Sequence, residues 1–160
     1  MPSTLEIATP TDREIVMTRS FAAPRALVFD AWTKPDLVRQ WLGTNDWPMA
    51  VCEADVRPGG AIRYVWRHAD GQEMGMSGMY REITEPERIV HTELFDEDWT
   101  GGETTVTTTF DENADTTTVT TRIVYASMEA RDAVMRSPME QGVAEGYNRL
   151  DALLPSLTSP

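Results

Sequence analysis

Residues 137–155 read SPMEQGVAEGYNRLDALLP, and they carry the strongest local signal in the chain. Ser137, Pro138 and Glu140 match a capping box with proline in the first turn, which predicts that a helix begins there. Apolar residues follow at helical spacing, namely Met139, Val143, Tyr147, Leu150 and Leu154. Pro155 predicts the end of a helix of about 17 residues, or about 25 Å. Such a helix must pack its apolar face against another layer.

The other layer is predicted by residues 49–125, where apolar side chains recur at every second position. Ile62, Tyr64 and Trp66, for example, share one face of a predicted strand. The region predicts six strands with short connections, which favours an antiparallel meander. Residues 14–21 add a seventh strand by the same alternation, interrupted by Arg19.

Two short helices are predicted between the first strand and the meander. Pro24 and Pro35 each stand at the start of an apolar stripe, and Gly43 provides the stop. The resulting order predicts an α+β fold, in which a curved seven-stranded antiparallel sheet wraps around the long C-terminal helix. A twisted sheet curled around one helix leaves space between them unless large side chains fill it.

Composition excludes several classes of partner. The chain has 160 residues, 14 Lys+Arg and 26 Asp+Glu, which gives a net charge of −12. Nucleic acid and anionic membranes are therefore excluded as main partners, because binding to phosphates depends on clustered cations. No run approaches the roughly 20 apolar residues of a membrane-spanning helix. The single cysteine, Cys52, excludes an internal disulfide, so we expect a reduced, cytoplasmic protein.

Motifs for catalysis, metals and cofactors are not found in the sequence. There is no GxSxG, no phosphate-binding loop and no Cys/His cluster, so neither a metal nor a cofactor is predicted. Cys52 is interpreted as a buried small hydrophobe, and His68, beside a turn, as exposed. Three arginines are candidates for holding a ligand carboxylate but are interpreted as outward-facing charges: Arg57, Arg63 and Arg67. The acidic loop is interpreted as solvated rather than as a cation site: Glu93, Asp96, Glu97 and Asp98.

His91 and Glu93 are the two candidate catalytic residues. They share one face of a predicted strand with Ile89 and Phe95. An imidazole beside a carboxylate can act as a general acid or base. The alternative, which we favour, is that His91 is a structural residue with satisfied hydrogen bonds.

Four segments resemble the activator of heat-shock protein 90 ATPase homologue-like family of the START-like, or SRPBCC, superfamily. They are residues 21–32 (FAAPRALVFDAW), 51–60 (VCEADVRPGG), 78–83 (GMYREI) and 85–90 (EPERIV). The similarity extends from about residue 13 to 154. It implies a helix-grip fold around an apolar cavity, with residues 12–155 as a single START-like domain. Residues 1–11 are then a flexible lead-in and residues 156–160 a C-terminal tail.

The sequence departs from the family pattern at two places. Leu42-Gly43-Thr44 follows Trp41, where many relatives have a second tryptophan and then Gly-Pro. Val143 stands where many relatives have tryptophan. The smaller side chain either enlarges the cavity or is compensated by Tyr147 one turn later, and both readings stay open.

These observations lead to three functional hypotheses. The first, and favoured, is a non-enzymatic domain that binds a small apolar or aromatic molecule between sheet and helix. Its predicted cavity residues, which can equally be plain core, are Tyr64, Trp66, Met74, Met76, Tyr80, His91, Phe110, Val143 and Tyr147. The second is a cyclase- or hydrolase-like enzyme using His91 and Glu93. The third is co-regulation of a heat-shock protein 90-type chaperone, as the family name suggests. A homodimer is also left open.

Overall fold

The meander predicted over residues 49–125 forms one antiparallel sheet in a computed structural model that describes residues 4–97 and 101–157. Within these residues there are eight strands and four helices. The strands are β1 (Glu6–Ala8), β2 (Glu14–Phe21), β3 (Met49–Ala54), β4 (Ala61–Arg67), β5 (Glu73–Thr84), β6 (Arg88–Phe95), β7 (Thr104–Asn113) and β8 (Thr116–Val124). The helices are α1 (Arg25–Thr33), α2 (Pro35–Trp41), α3 (Met128–Arg136) and α4 (Met139–Leu157).

The strand order is β1-β2-β8-β7-β6-β5-β4-β3, so every neighbouring pair from β3 to β8 is also consecutive in the chain. Inward-facing residues of β2 are all buried, including Arg19, whose side chain is 2% exposed. Gly78 in β5 lies where this strand comes very close to β6. A Cβ there would lie 2.0 Å from the carbonyl oxygen of Thr92 on β6.

The strand count differs from the prediction by one. The extra strand, β1, lies within the segment predicted as a flexible lead-in and pairs with β2 through Ile7↔Met17. A three-residue strand at the sheet edge covers backbone groups of β2 that would otherwise be unpaired. Asp98 of the predicted acidic loop, and the chain ends at residues 1–3 and 158–160, lie outside the described residues.

Serine side chains accept hydrogen bonds at the start of both C-terminal helices, and the one at α4, Ser137, stands where the sequence predicted a helix to begin. The Ser127 hydroxyl accepts a hydrogen bond of 3.1 Å from the Ala130 N–H at the start of α3. The Ser137 hydroxyl accepts one of 3.3 Å from the Met139 N–H at the start of α4. The backbone N–H of Ser137 is bonded to Val134, the C-terminal end of α3, so one serine joins the two helices.

The predicted end of α4 at Pro155 is wrong, because the helix continues to Leu157. Proline removes the hydrogen bond to the carbonyl four residues earlier, which costs most in a long helix interior. Here only one turn remains, and the Ser156 hydroxyl donates to the Leu153 carbonyl at 2.7 Å. A side chain thus satisfies one carbonyl of the last turn.

Helix α4 lies across the concave side of the sheet, with Tyr147, Leu150 and Leu154 buried in the core. Two arginines, one on β2 and one on α4 itself, attach this helix to the rest of the domain. Arg19 on β2 donates to Asn148 at 3.0 Å and lies 3.6 Å from a carboxylate oxygen of Asp151. The α+β arrangement is therefore consistent with a helix-grip fold.

Arg149 forms the second attachment of α4. Its guanidinium donates to the carbonyl oxygens of Trp41, at 2.9 Å, and of Gly43, and to the side chain of Asn45. These groups are the C-terminal end of α2 and the start of the loop that follows it. Backbone carbonyls at the end of a helix lack partners within the helix, so the arginine satisfies groups that need a donor.

Within residues 4–97 and 101–157, no helix is long and apolar enough to span a bilayer.

Candidate ligand cavity between the sheet and the C-terminal helix

A cavity of about 720 Å³ lies between the concave side of the sheet and α4. Its volume falls in the range of about 300–1,000 Å³ that small-molecule sites occupy. Eight of the nine predicted cavity residues line it: Tyr64, Trp66, Met74, Met76, Tyr80, His91, Val143 and Tyr147. Phe110 does not line it. Its ring packs edge-on against Phe29 and Trp32 at centroid distances of 5.3 and 5.5 Å.

Aromatic rings fill the end of this space nearest α1 and α2. Tyr147 contacts Phe21, Trp32 and Trp41 at centroid distances of 5.6, 5.8 and 5.9 Å. The Trp41 indole is fixed by a 2.9 Å hydrogen bond to the Ala31 carbonyl. Tyr147 is therefore held in this cluster, while Val143, one turn earlier, borders the open space.

The loop after α2 forms part of the wall and closes over Trp66. Gly43 has φ +108°, and a Cβ on it would lie 2.6 Å from the Trp66 indole nitrogen. That nitrogen donates to the Leu42 carbonyl at 3.2 Å. Glycine is required here for both its backbone angle and the close approach. The Leu42-Gly43-Thr44 departure from the family pattern thus lies directly on the cavity wall.

His91 and Glu93 lie next to each other on β6 and both line the cavity. His91 Nε2 and Glu93 Oε2 are 2.9 Å apart, and the side chains are 14% and 26% exposed. Because a carboxylate only accepts hydrogen bonds, Nε2 carries the proton in this pair. His91 Nδ1 is buried without a hydrogen-bond partner. The pair therefore has the geometry of an oriented imidazole, as in acid–base sites.

Three tyrosines surround this pair. Tyr80 is the register partner of His91, with ring centroids 6.3 Å apart. Burial raises the pKa of Tyr80 to about 12. Burial also raises the pKa of Tyr64, with further contributions from Tyr80 and the Glu93 charge. The pKa of Tyr125 is raised by burial and then by Glu93. These phenols are uncharged at neutral pH and can offer hydrogen bonds without adding charge.

The remaining candidates from the sequence lie away from the cavity. Each of the three arginines pairs with an exposed carboxylate at 2.5–2.7 Å: Arg57 with Asp55, Arg63 with Asp96, and Arg67 with Glu73. His68 is 35% exposed and lies 3.1 Å from Asp70.

Cys52 is buried, its thiol donates to the Pro35 carbonyl at 3.4 Å, and burial raises its pKa. Among the described residues, no three His, Cys, Asp or Glu side chains converge as metal ligands would.

Several cavity residues were missed by the sequence analysis. Trp32, Trp41, Trp47 and Tyr125 line the wall. Trp32, Trp41 and Tyr125 carried a signal, because each lies on an apolar face of a predicted helix or strand. Arg149, which attaches α4 but does not line the cavity, was also missed, because its partner is the backbone carbonyl of a residue 108 positions earlier.

Comparison with known proteins agrees with this architecture. Residues 22–155 match the family model described as Activator of Hsp90 ATPase homolog 1-like protein. A crystal structure from Rhodobacter sphaeroides is 36% identical, covers 95% of this chain and 98% of its own, and has a TM-score of 0.91. One from Mycobacterium smegmatis is 28% identical, with coverages of 96% and 97% and a TM-score of 0.82.

A more distant structure, from Nitrosomonas europaea, is 20% identical with a TM-score of 0.83 and coverages of 93% and 98%, and shows the shared fold alone. A search of curated proteins found no match. The family match covers most of the chain and agrees with the resemblance noted from the sequence. The chain belongs to the Activator of Hsp90 ATPase homolog 1-like protein family.

Proposed function

We propose that this protein binds a small hydrophobic or aromatic molecule in the cavity between the sheet and α4. The observation that carries the proposal is a space of about 720 Å³ beside Val143, bordered by aromatic and methionine side chains. Burial of apolar ligand surface stabilises such a complex by about 25 cal/mol per Å². Methionines such as Met74 and Met76 adapt to ligands of irregular shape.

Blocking the cavity tests the proposal. Val143→Trp places an indole at the edge of the open space. We expect apolar and aromatic compounds to raise the melting temperature of the wild-type protein and to have little effect on this variant. Val56→Trp, at a residue 38% exposed and outside the cavity, is the matched control and should respond like wild type. Equal shifts in the wild type and Val143→Trp, or no shift with any compound, would contradict the proposal.

A second candidate function is catalysis, and one observation favours it. His91 and Glu93 form a 2.9 Å hydrogen bond on the cavity wall, which is the arrangement of an oriented acid–base pair. Mass spectrometry of a bound compound after incubation distinguishes the two functions. A binding protein returns the compound unchanged, whereas an enzyme converts it, and His91→Ala should then abolish conversion without unfolding the protein.

Co-regulation of a heat-shock protein 90-type chaperone rests on the family description alone. An ATPase assay with the purified chaperone tests it, and no stimulation would contradict it. A cytoplasmic location and a homodimer likewise stay predictions from the sequence.

A further inference from the structure

The charges on the cavity wall have one sign. Three carboxylates line the cavity: Asp46, Glu93 and Glu145. Among the described lining residues there is no lysine or arginine, although the chain contains 14 of them. A cavity that bound a carboxylate or phosphate would be expected to present a cation to it. The wall is therefore unsuited to anions.

The arginines of the surrounding strands are engaged elsewhere. On the outer side of the sheet Arg63 and Arg88 pair with Asp96 and Glu82, at 2.7 and 2.9 Å. Arg19 faces inward but donates to Asn148 on α4 and is not part of the cavity wall. Glu93, in contrast, is hydrogen-bonded to His91 at 2.9 Å, and no arginine or lysine of the described residues pairs with it. Glu93 therefore faces the cavity without an arginine or lysine beside it.

Aromatic rings line the same cavity as these carboxylates. Nine line the cavity: Trp32, Trp41, Trp47, Tyr64, Trp66, Tyr80, Phe95, Tyr125 and Tyr147. Tyr64 and Tyr125 are close enough to Glu93 for its charge to raise their pKa values. The faces of tryptophan and tyrosine rings attract cations, most strongly in sites shielded from water.

We propose that the ligand is an organic cation, namely an amine that is protonated at neutral pH and carries an aromatic or alkyl body. This inference rests on the proposed binding function and specifies its ligand class. The ammonium group lies near Glu93, and the apolar body packs against Met76 and the neighbouring rings. The net charge of −12 attracts such a ligand and repels an anionic one of the same shape.

Three probes of nearly equal shape test the charge preference: naphthylethylamine, naphthylethanol and naphthylacetate. Calorimetric titration of the wild-type protein at low ionic strength should give an affinity for the amine at least about tenfold above that for the alcohol, as expected for one partly buried charge pair. The acetate should bind more weakly than the alcohol.

Variants that each lack one carboxylate show which group causes the preference for the amine over the alcohol. Glu93→Gln should reduce the advantage of the amine over the alcohol at least about fivefold, with the affinity for the alcohol measured on the same variant as the reference. Glu53→Gln makes the same change in net charge at an exposed position of β3 outside the cavity and should keep the advantage. Asp46→Asn, at an exposed position of the rim, should also reduce the advantage and serves as the second variant if Glu93→Gln does not fold.

The outcomes separate this inference from the proposed function. If the alcohol or the acetate binds as tightly as the amine, or if none of the three binds while neutral apolar compounds do, the charge preference is wrong and the binding function stands. If Glu93→Gln and Glu53→Gln reduce amine binding equally, the cavity carboxylates are not the cause and the inference fails. If no compound of any charge binds, both proposals fail.

Discussion

Arg149 shows how much one side chain can contribute to this fold. It donates to two backbone carbonyls at the end of α2 and to Asn45, and so joins α4 to the loop that borders the cavity. Hydrogen bonds from a charged donor contribute about 1.5–3 kcal/mol in favourable cases. No pattern in the sequence marks this residue, because its partners are backbone groups far away in the chain.

Removing this side chain should lower the stability of the protein, because α4 loses one of its two attachments. We expect Arg149→Ala to lower the free energy of unfolding by about 1.5–3 kcal/mol, measured by urea denaturation. Arg39→Ala, at an exposed position of α2, removes the same charge and should change it by less than about 0.5 kcal/mol. Equal losses in the two variants would mean that net charge, rather than the attachment of α4, is responsible.

For the candidate residues, the sequence predicted on which face of its strand each side chain lies. It did not predict which residues of other elements pack against that side chain. Alternation along β6 correctly placed His91 and Glu93 together, because side chains two apart in a strand share a face. Phe110 also lies on an inward face, but α1 covers it with Phe29 and Trp32. How far a helix extends over a sheet depends on packing that no local pattern encodes.

Two glycines of α4 show how the helix approaches its neighbours. A Cβ on Gly146 would lie 2.8 Å from the Trp41 carbonyl oxygen and 3.3 Å from that of Gly43. A Cβ on Gly142 would meet only the Thr44 methyl carbon, at 2.9 Å. Backbone cannot move aside easily, whereas the Thr44 side chain can rotate.

Substitution of these glycines by alanine should therefore have opposite effects. Alanine favours a helix interior over glycine by about 1 kcal/mol, so Gly142→Ala should leave stability unchanged or raise it. Gly146→Ala should lower it by about 1–3 kcal/mol, because α4 must move away from α2. Thermal or urea unfolding of the two variants checks this, and a stable Gly146→Ala protein would show that the spacing of α2 and α4 is not fixed.

The elements with long, regular patterns were predicted well, and the short or irregular ones were not. The six strands of the meander and the start of α4 follow from alternation and capping. β1 has only three residues and gains its structure by pairing with β2, so its own sequence carries little signal. The last turn of α4 persists after Pro155 because Ser156 satisfies a carbonyl there.

At the scale of the whole molecule, the tyrosines should govern its response to alkali. The chain has four tyrosines, and burial raises the pKa of every one: Tyr64, Tyr80, Tyr125 and Tyr147. In the unfolded chain tyrosine titrates near pH 10. Below that pH both states keep the phenolic protons, so the stabilisation is fully present. As pH rises from about 10 towards 12, the unfolded state releases protons first and stability falls.

We therefore expect the free energy of unfolding to decrease between about pH 10 and pH 12, with tyrosinate absorbance developing together with loss of the circular dichroism signal. Tyr80→Phe removes one titrating group and should make the decrease shallower. Tyrosinate absorbance near pH 10 in a protein that retains its native circular dichroism would contradict the raised pKa values.

The presence of an open cavity could not be predicted from the sequence. The same aromatic and methionine residues are compatible with a filled core or with a lined space, and the outcome depends on where each ring is held. Tyr147 is held by three rings near α1 and α2, and Trp66 is held by the loop after α2. Both constraints arise from contacts between distant segments.

Of the five tryptophans in the chain, Trp32, Trp41, Trp47 and Trp66 border the cavity, and Trp99 lies outside the described residues. The wavelength and the intensity of tryptophan fluorescence depend on the water and the quenching groups around the indole ring. Four of the five indoles therefore stand where a bound molecule would change their surroundings. Binding of a compound in the cavity can therefore be followed with the unlabelled chain, so the proposed ligand binding can be tested without a dye or an engineered chromophore.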